Sequence, residues 1–376
     1  MDNPFILEPY VCKELFCDRE KEVKNLLSNC KNGINTTLIS NRRLGKTGLI
    51  MRLFDEINQK KLSIFPIYAD IYATKNLSDF IKCLTEAILD KYPQKTSFGN
   101  RFFKFIKSFR PVFSFDPITG STQIEINYHS PNEKEQTLRS IFAFLEQQKT
   151  KILIAIDEFQ QIREYPEKNV EAILRTHIQH LKNIRFIFCG SKKHIMFDIF
   201  SNAKNPFYSS TQFLKLGVIQ KEKYRHFINS LFEKNKRKIE TDALNFILEW
   251  TKQHTYYTQA LCNQVFAAGT KKIAMQEVKR ACKNIFLIYE NIFFQYRALL
   301  TDNQWKFLIA VAKEKELHKF TASEFLNKHN IGTPANAKRA LTALTDKELL
   351  CEHDSKEGKY YTVYDVFLAR WLENEY

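Results

Sequence analysis

The chain has 376 residues, of which 44% are hydrophobic and 26% charged, the balance of a globular protein with about two or three domains. No apolar run approaches the roughly 20 residues of a membrane span, the N-terminus lacks a secretion signal, and the eight cysteines show no C-x-x-C spacing. A membrane span is therefore not expected, and the cysteines imply neither a zinc site nor a disulfide framework. A cytoplasmic location is expected, and the net charge of +15 favours polyanionic partners.

Residues 1–33 are predicted to form an N-terminal segment and an amphipathic helix. Residues 34–215 then alternate strand-like and helical stretches, which predicts an α/β core built on a mostly parallel sheet with crossover helices. The predicted strands are Thr36–Ser40, Leu62–Ile71, Lys151–Ile156 and Ile184–Cys189, and the predicted helices are 48–59, 77–91, 134–148 and 167–182.

A phosphate-binding loop lies between the first predicted strand and helix. It follows G-x-x-x-x-G-K-[ST] except that a serine replaces the first glycine, and it reads Ser40-Asn41-Arg42-Arg43-Leu44-Gly45-Lys46-Thr47-Gly48. Its backbone N–H groups and the start of the following helix would form a cradle for an anion. We expect Lys46 to reach the β- and γ-phosphates and Thr47 to ligate Mg²⁺. A chance Gly-Lys-Thr is the alternative, which the flanking strand and helix disfavour.

An inserted β-hairpin is predicted at about residues 110–127. Two alternating strands there flank an Asp-Pro-x-x-Gly turn. The basic, aromatic stretch 101–105 precedes the hairpin, and we favour a buried helix face over a nucleic-acid contact for its phenylalanines.

Two carboxylates follow the apolar run 151–156. Continuous apolarity is typical of a strand buried on both faces, and Asp157 and Glu158 would emerge at its C-terminal end. We assign Asp157 to Mg²⁺, usually held through water, and Glu158 to the general base that activates water. The alternative is a core strand followed by a helix-capping acid.

The strand 184–189 ends at Gly190 and Ser191. Because ligands bind outside the carboxyl ends of parallel strands, Ser191 is a candidate contact for the γ-phosphate. A simple turn after the strand is an equal alternative for Ser191, and it is favoured for Lys192.

The last two regions are a predicted helical lid at 216–292 and a predicted winged helix at 293–376, with three short helices before a hairpin. The third of these helices would present Asn336, Lys338 and Arg339, residue types that contact bases and phosphates. DNA is thus a candidate partner, through the winged helix and the basic stretches 95–110 and 215–238. The near-neutral charge of the winged helix favours binding to protein or to its own nucleotide domain.

With these pieces in order, the chain resembles the archaeal-type ATPases of archaea and Bacteroides-like bacteria, in the signal-transduction (STAND) branch of the AAA+ P-loop proteins. The matching segments are Asn3-Pro4-Phe5, Phe16-Cys17-Asp18-Arg19-Glu20, Arg42-Arg43-x-Gly45-Lys46-Thr47, Asp157-Glu158-Phe159-Gln160, Gly190-Ser191, Pro206-Phe207-Tyr208, His254-x-Tyr256-Tyr257-x-Gln259 and the terminal winged helix.

The resemblance implies that ATP rather than GTP binds between core and lid, and that His254 contacts the nucleotide phosphate from the lid. The sequence departs from the family at two places. Thr255 follows the histidine where the family usually has proline, and residues 209–212 carry no arginine where many members have one. A finger or sensor arginine is therefore not identified.

These features predict a switch protein that binds ATP and hydrolyses it slowly with Mg²⁺. Its lid and winged helix would reorient between nucleotide states. A protein partner or a nucleotide-dependent oligomer would carry the signal. The alternative is a module that holds ADP or ATP without useful turnover, which the missing arginine favours. DNA regulation through the winged helix is a third hypothesis.

Overall fold

The computed structural model describes residues 3–8, 10–109, 111–115, 122–126, 128, 130–356 and 358–376. The chain divides into two compact units. The first is Glu8–Gly217, and the second is Val218–Tyr376 together with the N-terminal segment that ends at Leu7.

The first unit alternates helices and strands along most of its length. Its elements are α1 (Glu20–Lys31), β1 (Thr36–Ile39), α2 (Lys46–Gln59), β2 (Ile64–Asp70), α3 (Leu77–Lys91), α4 (Ser97–Lys107), β3 (Val112–Phe115), β4 (Thr122–Glu125), α5 (Pro131–Glu146), β5 (Lys151–Asp157), α6 (Val170–Ile178), β6 (Ile184–Gly190), α7 (Lys193–Ser201) and β7 (Gln212–Lys215). Short 3₁₀ helices occupy Lys13–Leu15 and Phe159–Glu164.

A five-stranded parallel sheet, in the order β2-β5-β6-β1-β7, forms the centre of this unit. Parallel strands bring their carboxyl ends to one edge, where Ile39 pairs with Gly190 and Asp70 pairs with Asp157. The predicted α/β core is confirmed. The strand β7 was not predicted.

The core lies on both faces of the sheet because successive side chains of a strand point to opposite faces. Along β5, Ile154 and Ile156 pack into one cluster while Leu153 and Ala155 pack into the other, against α1 and α2. Burial on both faces explains why β5 reads as an unbroken apolar run.

The predicted helix 167–182 is wrong at both ends, since α6 covers only Val170–Ile178. Beyond it, the backbone N–H groups of Lys182 and Asn183 donate to Glu146 Oε1, at 2.7 and 3.0 Å. Glu146 at the end of α5 thus accepts hydrogen bonds from two backbone amides that would donate to carbonyls of the same helix if α6 were longer.

The predicted hairpin is present in the described residues, with β3 antiparallel to β4. Its predicted turn, the Asp-Pro-x-x-Gly segment, lies outside the described residues. The preceding helix α4 buries Phe98, Phe102 and Ile106 in the core, as a buried helix face requires.

The second unit is mainly helical. Its elements are α8 (Lys221–Lys234), β8 (Lys238–Ile239), α9 (Thr241–Trp250), α10 (Thr255–Ala267), β9 (Lys272–Ile273), α11 (Met275–Leu299), α12 (Asp302–Glu314), α13 (Ser323–Lys328), α14 (Pro334–Asp346), β10 (Leu350–Ser355), β11 (Gly358–Val363) and α15 (Val366–Glu375). The prediction of a helical segment at 216–292 did not include the short strands β8 and β9, which pair in parallel.

A winged helix closes the chain, with α12, α13 and α14 before the antiparallel hairpin β10–β11. The additional helix α15 was not predicted; it buries Phe367 and Trp371. Among the helices of the described residues, none combines the length and apolarity needed to cross a bilayer.

Candidate active site

The phosphate-binding loop joins β1 to α2. Its backbone turns at Arg43 and Gly45, whose φ angles of +61° and +93° are left-handed, and Gly45 is the N-cap of α2. No acidic residue of α2 itself lies in its first turn, so the helix does not neutralise the positive end of its own dipole. The helix start at Lys46–Gly48 is therefore suited to an anion.

Ser40 occupies the position where the usual motif has glycine. Its φ is not positive, and its side chain is buried, with Oγ donating to the Asn41 carbonyl at 2.8 Å. The backbone there is in a region that any residue adopts, so a serine fits without strain.

Asp157, at the end of β5, is 4% exposed and accepts three hydrogen bonds. Thr47 Oγ1 and Tyr68 OH donate to Oδ2 at 2.9 and 2.8 Å, and the Glu158 N–H donates to Oδ1 at 3.0 Å. Burial, followed by the charge of Asp157, raises the pKa of Tyr68, so the phenol remains a donor. A buried carboxylate is stable here because its oxygens are paired.

Glu158 follows with a left-handed backbone, φ +53°, at the start of the 3₁₀ helix. Its Oε2 accepts hydrogen bonds from Ser191 Oγ, at 2.8 Å, and from Gln160 Nε2. Non-glycine residues in this conformation cost about 1 kcal/mol or more and concentrate at functional sites. The donors hold one carboxylate oxygen in place.

Gln160 is 6% exposed, and its Oε1 has no hydrogen-bond partner among the described residues. A Cβ on Gly190 would lie 2.4 Å from that oxygen and 2.5 Å from Met196 Sδ. A larger residue at 190 would therefore have to displace the side chain that binds Glu158 and that of Met196.

Arg42 extends from the loop to the end of β6, where its Nε donates to Ser191 Oγ at 3.5 Å. Ser191 therefore contacts both the loop arginine and the acid Glu158.

The donor set fits Mg²⁺, because Thr47 and Asp157 supply hard oxygen atoms. Their oxygens are 2.9 Å apart, and neighbouring ligands of an octahedral Mg²⁺ at 2.0–2.1 Å lie about 3 Å apart. Within the described ranges no cluster of three or more His, Cys, Asp or Glu forms a metal site. Mg²⁺ at a nucleotide needs few protein ligands, since it keeps waters and phosphate oxygens.

The structure brings together most of the predicted site residues at one sheet edge: the loop 41–48, Asp157, Glu158 and Ser191. His254 lies in the other unit as the N-cap of α10, with its ring 4.7 Å from that of Tyr257. Its role in nucleotide binding stays a prediction. Sequence reasoning did not assign Tyr68 or Gln160; only the position of Gln160 beside the acidic pair was a signal.

Two family models match the chain. The family described as "ATPase domain predominantly from Archaea" matches residues 16–258. The chain belongs to this ATPase family. A second family, described as "Probable winged helix domain", matches residues 291–374 of the ATPase chain. No curated protein matches the sequence.

Solved structures of similar fold include the Walker-type ATPase PABY2304 of Pyrococcus abyssi, at 19% identity and a TM-score of 0.68, covering 98% of this chain and 99% of that one. The ORC2 protein of Aeropyrum pernix, in its ADPNP-ADP complexes, is 15% identical with a TM-score of 0.59, covering 99% and 95%. The ORC1 protein of the same organism, in complex with DNA, is 13% identical with a TM-score of 0.52, covering 99% and 96%. At these identities the likeness shows the fold alone.

Proposed function

We propose that this protein is a nucleotide-dependent switch of the STAND branch of AAA+ proteins, which binds ATP and hydrolyses it slowly with Mg²⁺. The observation that carries the proposal is the hydrogen bond of 2.9 Å between Thr47 in the loop and Asp157 at the end of β5. It joins the predicted phosphate site to the predicted metal site. The family match supports ATP as the ligand.

In this mechanism Lys46 and the N–H groups of the loop hold the phosphates. Thr47 and Asp157 would hold Mg²⁺, which neutralises phosphate charge when bound. Glu158 accepts the proton of the attacking water through Oε1, since Oε2 is occupied by Ser191 and Gln160.

The test compares wild type with Lys46→Ala and Glu158→Gln. We expect Lys46→Ala to lose most ATP binding, whereas Glu158→Gln should bind ATP normally and hydrolyse it at least ~100-fold more slowly. ATP titrations with and without Mg²⁺, followed by single-turnover kinetics, measure both effects. Undiminished hydrolysis by Glu158→Gln would remove Glu158 from this role.

The competing proposal is an interaction module that binds ADP or ATP without hydrolysing it at a useful rate. Extraction of nucleotide from the purified protein separates the two, because a tight structural site would retain ADP and show no single turnover of added ATP.

A second candidate function is DNA binding through unit Val218–Tyr376. The winged-helix residues Lys338 and Arg339 are exposed on α14, and Arg339 Nη2 donates to Asn336 Oδ1 at 3.1 Å. The parallel pairing of β8 with β9 also places Lys238 opposite Lys272. With their neighbours they form a lysine cluster, defined by the exposed residues Lys234, Lys236, Lys238, Lys271 and Lys272.

Titration of a DNA duplex at several salt concentrations tests this function. Each lost phosphate contact reduces the salt slope by about 1, so Lys236→Ala with Lys238→Ala should lower it by about 2 if both contact phosphates. Lys149→Ala, an exposed lysine of the other unit, is the control. Binding that hardly responds to salt would contradict a phosphate interface.

A further inference from the structure

Hydrolysis of ATP develops negative charge on the transferred phosphoryl group, and related enzymes place an arginine against it. The segment after Tyr208, residues 209–212, contains no arginine. This segment therefore supplies no arginine for that charge, and a cation within the chain has to come from another segment.

Arg42 has the required position within the first unit. Its Nε is 3.5 Å from Ser191 Oγ, and that hydroxyl is 2.8 Å from Glu158 Oε2. Two contacts thus connect the arginine to the proposed general base. The γ-phosphate must lie beside the water that this base activates, so the guanidinium is on the side of the loop where that phosphate would lie.

Arginine suits such a position because its planar guanidinium carries five N–H donors. Nε can keep the contact with Ser191 while other N–H groups donate to phosphate oxygens. Lysine would bring one compact charge without this fork of donors.

We propose that Arg42 is a catalytic residue, an arginine finger supplied by the phosphate-binding loop of the same chain. In the reaction the water oxygen bonds to the γ-phosphorus and its proton passes to Glu158. The bond from the γ-phosphorus to the β–γ bridging oxygen breaks, and its electron pair leaves with ADP. Arg42 stabilises the charge on the γ-phosphoryl oxygens. This role rests on the proposed ATP hydrolysis.

The experiment uses the full chain as wild type, Arg42→Ala and Arg42→Lys, with Lys149→Ala as a control for loss of one exposed positive charge. Single-turnover hydrolysis at saturating ATP is measured, together with dissociation constants for ADP and for the analogue ADPNP. Thermal unfolding checks that each variant is folded.

We expect Arg42→Ala to slow hydrolysis by about 100-fold or more, with the ADP dissociation constant changed less than about threefold and the preference for ADPNP reduced. Arg42→Lys should be intermediate, because it restores charge without the donor fork. Lys149→Ala should behave as wild type. Wild-type hydrolysis by Arg42→Ala would overturn the proposal, as would an equal loss of ADP and ADPNP affinity, since a merely structural tether would act on both.

The two proposals fail differently. A wild type that binds ATP without hydrolysing it refutes the enzymatic function. The contact between Arg42 and the γ-phosphate is then decided by the dissociation constant of ADPNP divided by that of ADP, a ratio which Arg42→Ala must raise if the contact exists.

Discussion

At the residue scale, Asp157 depends on its donors, because a buried carboxylate costs free energy unless it is hydrogen-bonded. Tyr68→Phe removes one donor at 2.8 Å and changes little in shape. We expect the free energy of unfolding without nucleotide to fall by about 1–3 kcal/mol. Urea denaturation at neutral pH measures it. An unchanged midpoint would show that Thr47 and the Glu158 amide suffice.

The substitution Gly190→Ala tests a steric contact at the same scale. In Gly190→Ala the new methyl would meet Gln160 Oε1 at 2.4 Å and displace the side chain that binds Glu158. We expect a destabilisation of about 1–3 kcal/mol and slower hydrolysis. Gly217→Ala is the matched control, because a Cβ there meets nothing within 4 Å. Equal effects at both positions would contradict the steric argument.

Where a motif fixes a residue type at a given position, the sequence alone makes that residue a candidate, as for Lys46, Thr47, Asp157 and Glu158, whose roles stay predictions. The contact of Tyr68 with Asp157 was not, because it depends on how β2 pairs with β5, which no local pattern specifies. The structure likewise supplies the contact of Arg42 with Ser191, across residues far apart in sequence.

At the element scale, Arg163 connects the 3₁₀ helix after Glu158 to two other helices. Its Nε donates to Glu171 on α6 at 2.7 Å and its Nη1 to Asp198 on α7 at 2.6 Å. These contacts brace the segment that carries Gln160.

This brace predicts a pH dependence. Hydrogen bonds from Asn202, Arg163 and Asn205 lower the pKa of Asp198 to about 2. The stabilisation is complete above the unfolded pKa of about 4 and is lost as the pH falls through the folded value.

We therefore expect Asp198→Asn to lower the unfolding midpoint by a few degrees at most at pH 7, because the Arg163 and Asp198 side chains are 28% and 41% exposed and solvent screens their interaction. The difference from wild type should shrink as the pH is lowered from about 4. Glu164→Gln, an exposed neighbour of Arg163, is the control. A difference that stays constant over this range would rule out the carboxylate charge as its source.

The elements themselves were predictable where burial imposes a pattern. The apolar runs of β5 and β6 predict strands that are buried on both faces of the sheet. The strand β7 has mostly exposed side chains and forms at the edge of the sheet beside β1, so it has no such apolar run. The two-residue strands β8 and β9 exist through their mutual pairing, which joins distant segments. Neither β8 nor β9 has a sequence pattern of its own that predicts a strand.

At the scale of the whole molecule, ligand binding should appear as stability. A ligand that binds only the native state at 100 times its dissociation constant adds about 2.7 kcal/mol. We expect ADP at that concentration to raise the unfolding midpoint of wild type and Lys149→Ala, and to leave Lys46→Ala almost unchanged. An equal shift in Lys46→Ala would place the bound nucleotide elsewhere.

The N-terminal segment belongs to the second unit, although the first unit follows it directly in the chain. Phe5 is fully buried, with its ring 4.8 Å from Phe232, while the Asn263 amide donates to the Phe5 carbonyl at 2.8 Å. During synthesis this segment cannot pack until its contact residues, Phe232 and Asn263, have been added to the chain more than 200 residues later. The unit Glu8–Gly217 can therefore fold first, and deletion of the residues up to Leu7 should destabilise the later-synthesised unit while sparing the earlier one.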